Sequence, residues 1–394
     1  MNGMIVSMIK QVYLDNASTT QVDENVVDAM IPYFRDNYGN PSSLHRLGRI
    51  NKSALENARK RVAHCLAAES SEIIFTSGGT EADNLAILGL AHAYQDKGKH
   101  IIVSSIEHKA ILDSCKKLED EGFSVTYIPV NKHGFVSVDE IATSLRPDTI
   151  LISVMYANNE IGTIQPIKQL AKMLKKRTDC KPVFHTDACQ AAGALSLNIG
   201  DLGVDAMTIS ASKIYGPKGV GVLYLNKKYT VEPTILGGGQ EMGLRSGTEN
   251  IVAIVGFAKA LEIAESKRVK ESERLMILRD YFLEVSKQNI KGVVINGSMK
   301  NRLPNNINIA IPGVEGEALL LLLDDKGVYC STGSACSSFD LSPSYVLVAM
   351  GLPLALAHCS MRFTLGRYTK KSDIEYAVKV LIASVERIRK ITSL

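Results

Sequence analysis

The stretch EIIFTSGGTEADN at 72–84 decides the fold. EIIF is a short β-rich run of the kind that fills a buried strand, and the residues after the double glycine open a helical pattern. Between them, Thr76-Ser77-Gly78-Gly79-Thr80 is a turn of small residues that lets backbone amides approach a ligand. Ligands of an open parallel α/β sheet bind at the carboxyl ends of its strands, and a helix start attracts an anion. The turn therefore reads as a phosphate cradle, with a plain strand-to-helix turn as the alternative. It is neither GxGxxG nor GxxxxGK[ST], which argues against a Rossmann dinucleotide site and a nucleotide-hydrolysing P-loop.

Working outward, the alternation repeats. Strand-like runs stand at HIIVSS (100–105), FSVTYIPV (123–130), TILISVM (149–155), PVFHTD (182–187), AMTIS (206–210) and GVGVLYL (219–225). Helical patterns intervene, such as Glu107–Glu121, apolar at 110, 111, 112, 115 and 118, and Ile167–Lys176. Strands alternating with helices predict an α/β domain around a large, mostly parallel, seven-stranded sheet. From Asn250 to Asn289 there is no proline and one glycine, which predicts a long helix or helix pair leaving that domain. The remainder predicts a smaller α+β domain: NINIAI at 306–311, helical EGEALLLLLDD, a loop through Ser331–Ser338 and a closing helix near Ser372–Lys390 with Ser372 as its N-cap.

Composition narrows the function. At roughly 100–200 residues per domain, 394 residues suggest two or three domains. Forty-five Lys and Arg against 41 Asp and Glu give a formal charge of +4, so no basic excess calls for nucleic acid or an anionic membrane. The longest apolar runs, Ile150–Ala157 with Ser153 allowed and Leu319–Leu323, fall far short of the roughly 20 residues that span a bilayer. The opening MNGMIVSMIK has the features of neither a secretory signal nor a transit peptide, so a cytoplasmic location is expected. Seven scattered cysteines without a CxxC pair argue against a disulfide framework or a zinc site.

Two further strand ends carry chemistry. Asp187 closes PVFHTD with Gln190 three residues on, and it reads either as an N-cap or as a partner for a protonated ring nitrogen. Lys213 follows AMTIS in Ser210-Ala211-Ser212-Lys213 before a Gly-Pro-Lys-Gly turn; it is either a solvated lysine or an imine-forming amine. Cradle, carboxylate and amine, in that order on one sheet, are what pyridoxal 5′-phosphate (PLP) requires.

At this point the chain resembles, over essentially its full length, the fold-type I PLP enzymes of aminotransferase class V, and specifically the NifS/IscS-type cysteine desulfurases. The matching stretches are YLDNASTT (13–20), NPSSLHRLGR (40–49), FTSGGTEADN (75–84), Ile106-Glu107-His108, NNEIGTIQPI (158–167), HTDACQAAG (185–193), SASKIYGPKG (210–219), RSGTEN (245–250), STGSACSS (331–338) and RFTLGR (362–367). The resemblance implies a large domain over 17–265 and a small one from 1–16 and 266–394 that carries a persulfide loop at about 331–342. It implies Lys213 as the Schiff-base lysine, Asp187 as the pyridinium partner, and Gln190 and Asn159 at the cofactor's phenolic oxygen, with Asn159 also at the substrate. His108 would stack on the ring and shuttle protons, against the bland reading of a surface histidine opening a helix. Gly79, Thr80, Ser210 and Ser212 would hold the phosphate, joined by Thr248 of the other subunit of a homodimer with shared sites, and Ala211 would also touch the cofactor. Arg362 would clamp the carboxylate of L-cysteine, a task suited to a guanidinium, rather than form a surface ion pair.

Cys336 lies among Ser, Gly and Ala, whereas Cys65 and Cys115 sit in helical patterns and Cys330 and Cys189 read as packing. It is the expected persulfide carrier, its thiolate attacking the substrate sulfur. The implied reaction turns L-cysteine into L-alanine and passes sulfur to acceptor proteins, for iron–sulfur cluster assembly and tRNA thiolation. Two positions depart from the family pattern: Ser212 stands where Ser-x-His-Lys has His, and Met242 where Gln-Glu-Arg-Gly has Arg. Rival readings are a selenocysteine lyase or cysteine sulfinate desulfinase of the same fold, a non-catalytic sulfur-relay subunit, and a dinucleotide-dependent dehydrogenase, the last failing on the absent fingerprint.

Overall fold

Valine, isoleucine and phenylalanine dominate the runs at 73–76, 100–104, 149–153 and 183–187, and such side chains suit a sheet covered on both faces. The computed structural model describes residues 10–178, 180–332 and 343–392. Its strands are β1 (Val12–Tyr13), β2 (Ile73–Thr76), β3 (His100–Ser104), β4 (Ser124–Ile128), β5 (Thr149–Ser153), β6 (Val183–Asp187), β7 (Ala206–Ser210), β8 (Gly221–Leu225), β9 (Val294–Ile295), β10 (Asn306–Ala310), β11 (Val328–Tyr329), β12 (Ser331–Thr332) and β13 (Ser360–Thr364). The helices are α1 (Glu24–Arg35), α2 (Arg46–Leu66), α3 (Gly79–Tyr94), α4 (Lys109–Asp120), α5 (Val138–Ser144), α6 (Ile167–Lys175), α7 (Ile199–Leu202), α8 (Ile251–Asn289), α9 (Gly316–Asp325), α10 (Tyr345–Ala349), α11 (Leu354–Ala357) and α12 (Lys371–Thr392).

The chain forms two units. One holds Thr19–Asn159 and Thr163–Val269; the other holds the residues up to Ser18, Glu160–Gly162 and the chain from Lys270 onward. The first is built on a seven-stranded sheet in the order β2-β8-β7-β6-β5-β3-β4. Strands β3 to β7 pair in parallel, while β8 is antiparallel to both β7 and β2. The exception has a simple cause: only residues 211–220 join β7 to β8, too few for the helical crossover a parallel return needs. Helix α3 packs on β5, β7 and β8 with nearly every residue from Ala82 to Ala91 buried. Its Leu85, Ile87 and Leu90 share a core with Ile101, Leu151, Val183 and Leu223.

In the other unit β1 pairs in parallel with β11, and β12-β13-β10-β9 form an antiparallel sheet. Leu14, Phe282, Ile307, Phe363 and Leu381 lie in its core. The segment expected as a helix or helix pair is one continuous helix, α8, and the boundary between the units falls within it. Helix α12 starts at Lys371, so Ser372 lies inside its first turn rather than at the N-cap. The Asp373 carboxylate accepts the Lys370 N–H there instead, at 2.9 Å. Among the described residues no helix is long and apolar enough to cross a membrane.

Candidate active site

The carboxyl ends of β2 and β7 are brought together by β8. Thr76 and Ser210 both stand in register with Gly221, so the two strand ends lie two strand spacings apart, about 10 Å. A Cβ at residue 221 would approach the Gly78 carbonyl carbon to 2.6 Å, and one at 79 would come within 2.9 Å of Cys189 Sγ and 3.5 Å of Ser210 Cβ. Only glycine lets this turn press against the ends of β6 and β7. Beside it, Ser210 Oγ and Ser212 Oγ are 3.0 Å apart. The start of α3, a helix of 16 residues, adds its unpaired amides and positive end. Gly79, Ser210 and Ser212 thus form one concave group of donors, with exposed Thr80 at its rim.

Asp187 ends β6, and its Oδ1 accepts the Cys189 N–H at 2.8 Å, fixing the carboxylate in the same crevice. It caps a turn and not a helix. Lys213, half-buried at the end of the Ala211–Lys213 turn, is close enough for its charge to act on Cys189. Burial, then Asp187 and Asp83, nonetheless push the Cys189 thiol well up, which fits a packing residue.

Beneath Asp187 lies a group the sequence reading did not single out. Asp83 is buried, and desolvation followed by the Asp187 charge raises its carboxyl well above the usual range. Glu107 is buried too, and burial pushes it up to about 8 although Ser104 Oγ and Met155 N donate to it at 2.5 and 2.7 Å. His185 is pushed down to about 3 by burial and is neutral, bridging Ser153 Oγ (2.9 Å) and Thr208 Oγ1 (3.1 Å), with Asp83 Oδ1 3.9 Å away. The signal for Asp83 was present in the sequence. It stands one turn beyond Gly79, among the buried residues of α3.

His108 is the N-cap of α4, its Nδ1 accepting the Ala110 N–H at 3.1 Å. The bland reading is correct as far as it goes, and it fixes the tautomer: in the neutral ring the proton sits on Nε2. Asn84 Nδ2 donates to Ala110 O at 3.3 Å, tying the start of α4 to α3. Asn159 and Gln190 are half-buried on the turns after β5 and β6.

The RSGT stretch is stapled to the cradle from outside. Arg245 donates to Glu81 at 2.7 and 3.2 Å, and buried Arg59 makes a two-pronged pair with buried Glu241, both bonds 2.7 Å. Burial alone would raise the Glu81 carboxyl, but Arg245 and the Ser77 N–H hold it below the usual value. Thr248 is exposed, and Met242 is 51% exposed with φ +60°.

In the other unit Arg362 is buried on β13 and donates through Nη2 to Asp15 Oδ1 (2.9 Å) and Ser18 Oγ (2.8 Å). It is no surface pair. Burial, with Asp15 adding to it, raises the Cys330 thiol far above its usual range. Cys336 and most of the loop expected at about 331–342 lie outside the described residues.

The family described as Aminotransferase class-V matches residues 12–377. The chain is 51% identical to a protein named Cysteine desulfurase IscS from Dictyoglomus turgidum, over 98% of this chain and 97% of that one. It is 48% identical to the protein of the same name from Methanosarcina thermophila, over 98% and 94%. A solved structure titled NifS-like protein superposes with a TM-score of 0.89 at 36% identity, covering 98% of this chain and all of that one. Shared sequence over nearly the whole length and a shared α/β fold lead to one assignment: the chain belongs to the aminotransferase class V family and, within it, to the NifS/IscS-type cysteine desulfurases.

Proposed function

We propose that this chain is a PLP-dependent cysteine desulfurase that converts L-cysteine to L-alanine and holds the released sulfur as a persulfide on Cys336. The observation that carries the reading is the meeting of Gly79 with Cys189 and Ser210, of Ser210 with Ser212, and of Asp187 and Lys213 with Cys189, at the ends of β6 and β7. That donor set fits PLP: hydroxyls and a helix start for a phosphate, a fixed carboxylate for a ring nitrogen, and an amine for an aldehyde. When bound, PLP supplies an electron sink that labilises bonds at the substrate's α and β carbons.

The chain's own residues do the rest. Asp187, anchored by the Cys189 N–H, holds a proton at the ring nitrogen, and Asn159 and Gln190 take the phenolic oxygen. Lys213 Nζ and His108 Nε2 move protons at the substrate. Arg362 binds the carboxylate of L-cysteine, and Thr248 completes the phosphate site of a second subunit, with Ala211 and Thr80 at its edges. The Cys336 thiolate then forms an S–S bond as the Cβ–S bond breaks; the bonding pair stays with carbon, which is protonated to the methyl group of alanine. Atoms balance without an outside oxidant, since cysteine plus thiol equals alanine plus persulfide.

The dimer has support on α1, where Val27, Ile31 and Phe34 form a stripe at helical spacing that is 42 to 64% exposed in the single chain. Acceptors are iron–sulfur scaffold proteins and carriers for tRNA thiolation. Six free cysteines among the described residues suit a reducing cytoplasm. Ser212 donates a hydroxyl but no charge to the phosphate, so the cofactor is held less tightly than with histidine there.

The test is the PLP-loaded protein with L-cysteine, reading alanine and protein-bound sulfane sulfur for wild type and Cys336→Ala. Both products in the wild type and neither in the variant are expected. Equal alanine from the variant would sink the persulfide role and favour the lyase or desulfinase reading.

A further inference from the structure

Glu160, Ile161 and Gly162 belong to one unit although Asn159 and Thr163 on either side belong to the other. They form the tip of a hairpin whose legs pair through Ala157 and Ile164, with Asn158 N donating to Thr163 O at 3.0 Å. All three tip carbonyls are engaged. Glu160 O accepts from Asn306 Nδ2 at 3.0 Å and Asn308 Nδ2 at 3.1 Å, alternate residues on one face of β10. Ile161 O accepts from Arg302 Nη2 at 2.7 Å and Nε at 3.2 Å, and Gly162 O from Leu303 N at 2.8 Å. Gly162 has φ +70°, and a Cβ there would lie 2.7 Å from the Asn306 side chain, so the tip has one conformation open to it.

With its backbone so held, the Glu160 side chain is spent elsewhere. It is 5% exposed, and its Oε2 accepts the proton of Ser344 Oγ. The same serine oxygen caps α10 by accepting the Leu347 N–H at 3.2 Å, so one hydroxyl is used in both directions. A buried carboxylate is a costly way to fix a serine. In return its hydrogen bond is charge-assisted and roughly twice as strong as a neutral one.

Sequence position gives the arrangement its meaning. Glu160 follows Asn159 directly, and Ser344 stands eight residues after Cys336. We propose that Glu160 is a positioning residue that ties the Ser344 end of the Cys336 segment to the backbone carrying Asn159, and so sets the rate of sulfur transfer to Cys336. The inference rests on the desulfurase reading above and adds to it a residue that touches neither cofactor nor substrate sulfur.

The test compares wild type, Glu160→Ala, Glu160→Gln and Ser344→Ala, each isolated with PLP and mixed with L-cysteine for a single turnover. Cofactor absorbance, its change on adding L-cysteine, and persulfide at Cys336 by mass spectrometry are read in parallel. The first two should stay within about twofold of wild type, while Glu160→Ala and Ser344→Ala slow persulfide formation about tenfold, as loss of one charge-assisted bond predicts. Glu160→Gln, whose amide oxygen still accepts from Ser344, should recover to within about threefold of wild type. Unchanged persulfide rates overturn the inference. So does a parallel loss of cofactor or of the cysteine response in the alanine variants, since a merely structural role would move all three readings together. Wild type that makes no persulfide at Cys336 sinks the desulfurase reading instead. Should Glu160→Ala not fold, Ser344→Ala makes the same prediction.

Discussion

The two units differ in the charge they mostly bury, acids in one and arginines in the other, and in how they handle it. Around the candidate site the sheet-bearing unit buries Asp83, Glu107 and Asp187, whereas the other buries Arg279, Arg302 and Arg362. A buried acid can shed its charge by keeping a proton, and burial raises the carboxyls of Asp83 and Glu107 in that direction. A guanidinium has no such escape and must find acceptors. Arg279 finds Leu303 O at 3.1 Å and its neighbour Asp280 at 2.8 Å, Arg302 finds Ile161 O and Asn296 O, and Arg362 finds Asp15 and Ser18. The acid region is therefore adjustable by pH, and the arginine region is rigid.

That contrast breaks most visibly at Arg302. Arg302→Ala leaves two carbonyls without their charged donor and should cost about 3–5 kcal/mol of stability, read from urea denaturation midpoints. Next comes Arg362→Lys, in which a point charge replaces a two-pronged donor. A fall of about 50-fold in kcat/KM for L-cysteine is expected with the cofactor absorbance unchanged; a small fall would remove Arg362 from the substrate site.

On the acid side the effects are smaller and carry a sign. Glu107 titrates at about 8 in the folded protein against a usual value of 4.5, so between those pH values the folded chain binds more protons than the unfolded one. Stability is then greatest below about pH 4.5 and declines through about pH 8, by at most about 1.4 kcal/mol per pH unit from this group. Denaturation midpoints from pH 5 to 8 should fall less steeply in Glu107→Gln; an unchanged slope would mean that Glu107 is ionised. Smallest of all is Asp83→Asn. An amide replacing a carboxyl whose charged form burial and Asp187 already disfavour should shift stability by less than about 1 kcal/mol, and a loss comparable to that of Arg302→Ala would abolish the contrast.

Legibility in the sequence followed locality. The cradle, Asp187 and Lys213 were readable because each lies within a few residues of a strand that announces itself by its β-branched run. His108 was readable twice, as cap and as candidate site residue, and the structure shows how one nitrogen serves the first role. Asp83 carries a usable signal, an acid one turn beyond Gly79 among the buried residues of α3. The antiparallel course of β8 was implied by its short connection to β7. Glu160 was a different case: its partners Asn306, Asn308 and Ser344 lie 146, 148 and 184 residues away, and no local pattern says which element will present them.

One feature of the smaller sheet bears on how the molecule is made. Val12 pairs with Val328 and Tyr13 with Tyr329, so β1 leaves the ribosome 316 residues ahead of its partner β11. At roughly 5–20 residues per second the wait is about 15–60 s. During that interval Val12 and Leu14, both buried in the finished protein, have no native partner, while the seven strands of the other sheet have all been made once residue 225 has emerged. An unpaired apolar strand is an aggregation hazard. For this strand the order of synthesis is thus the reverse of the order of completion: β1 is made before every strand of the seven-stranded sheet and finds its partner after all of them.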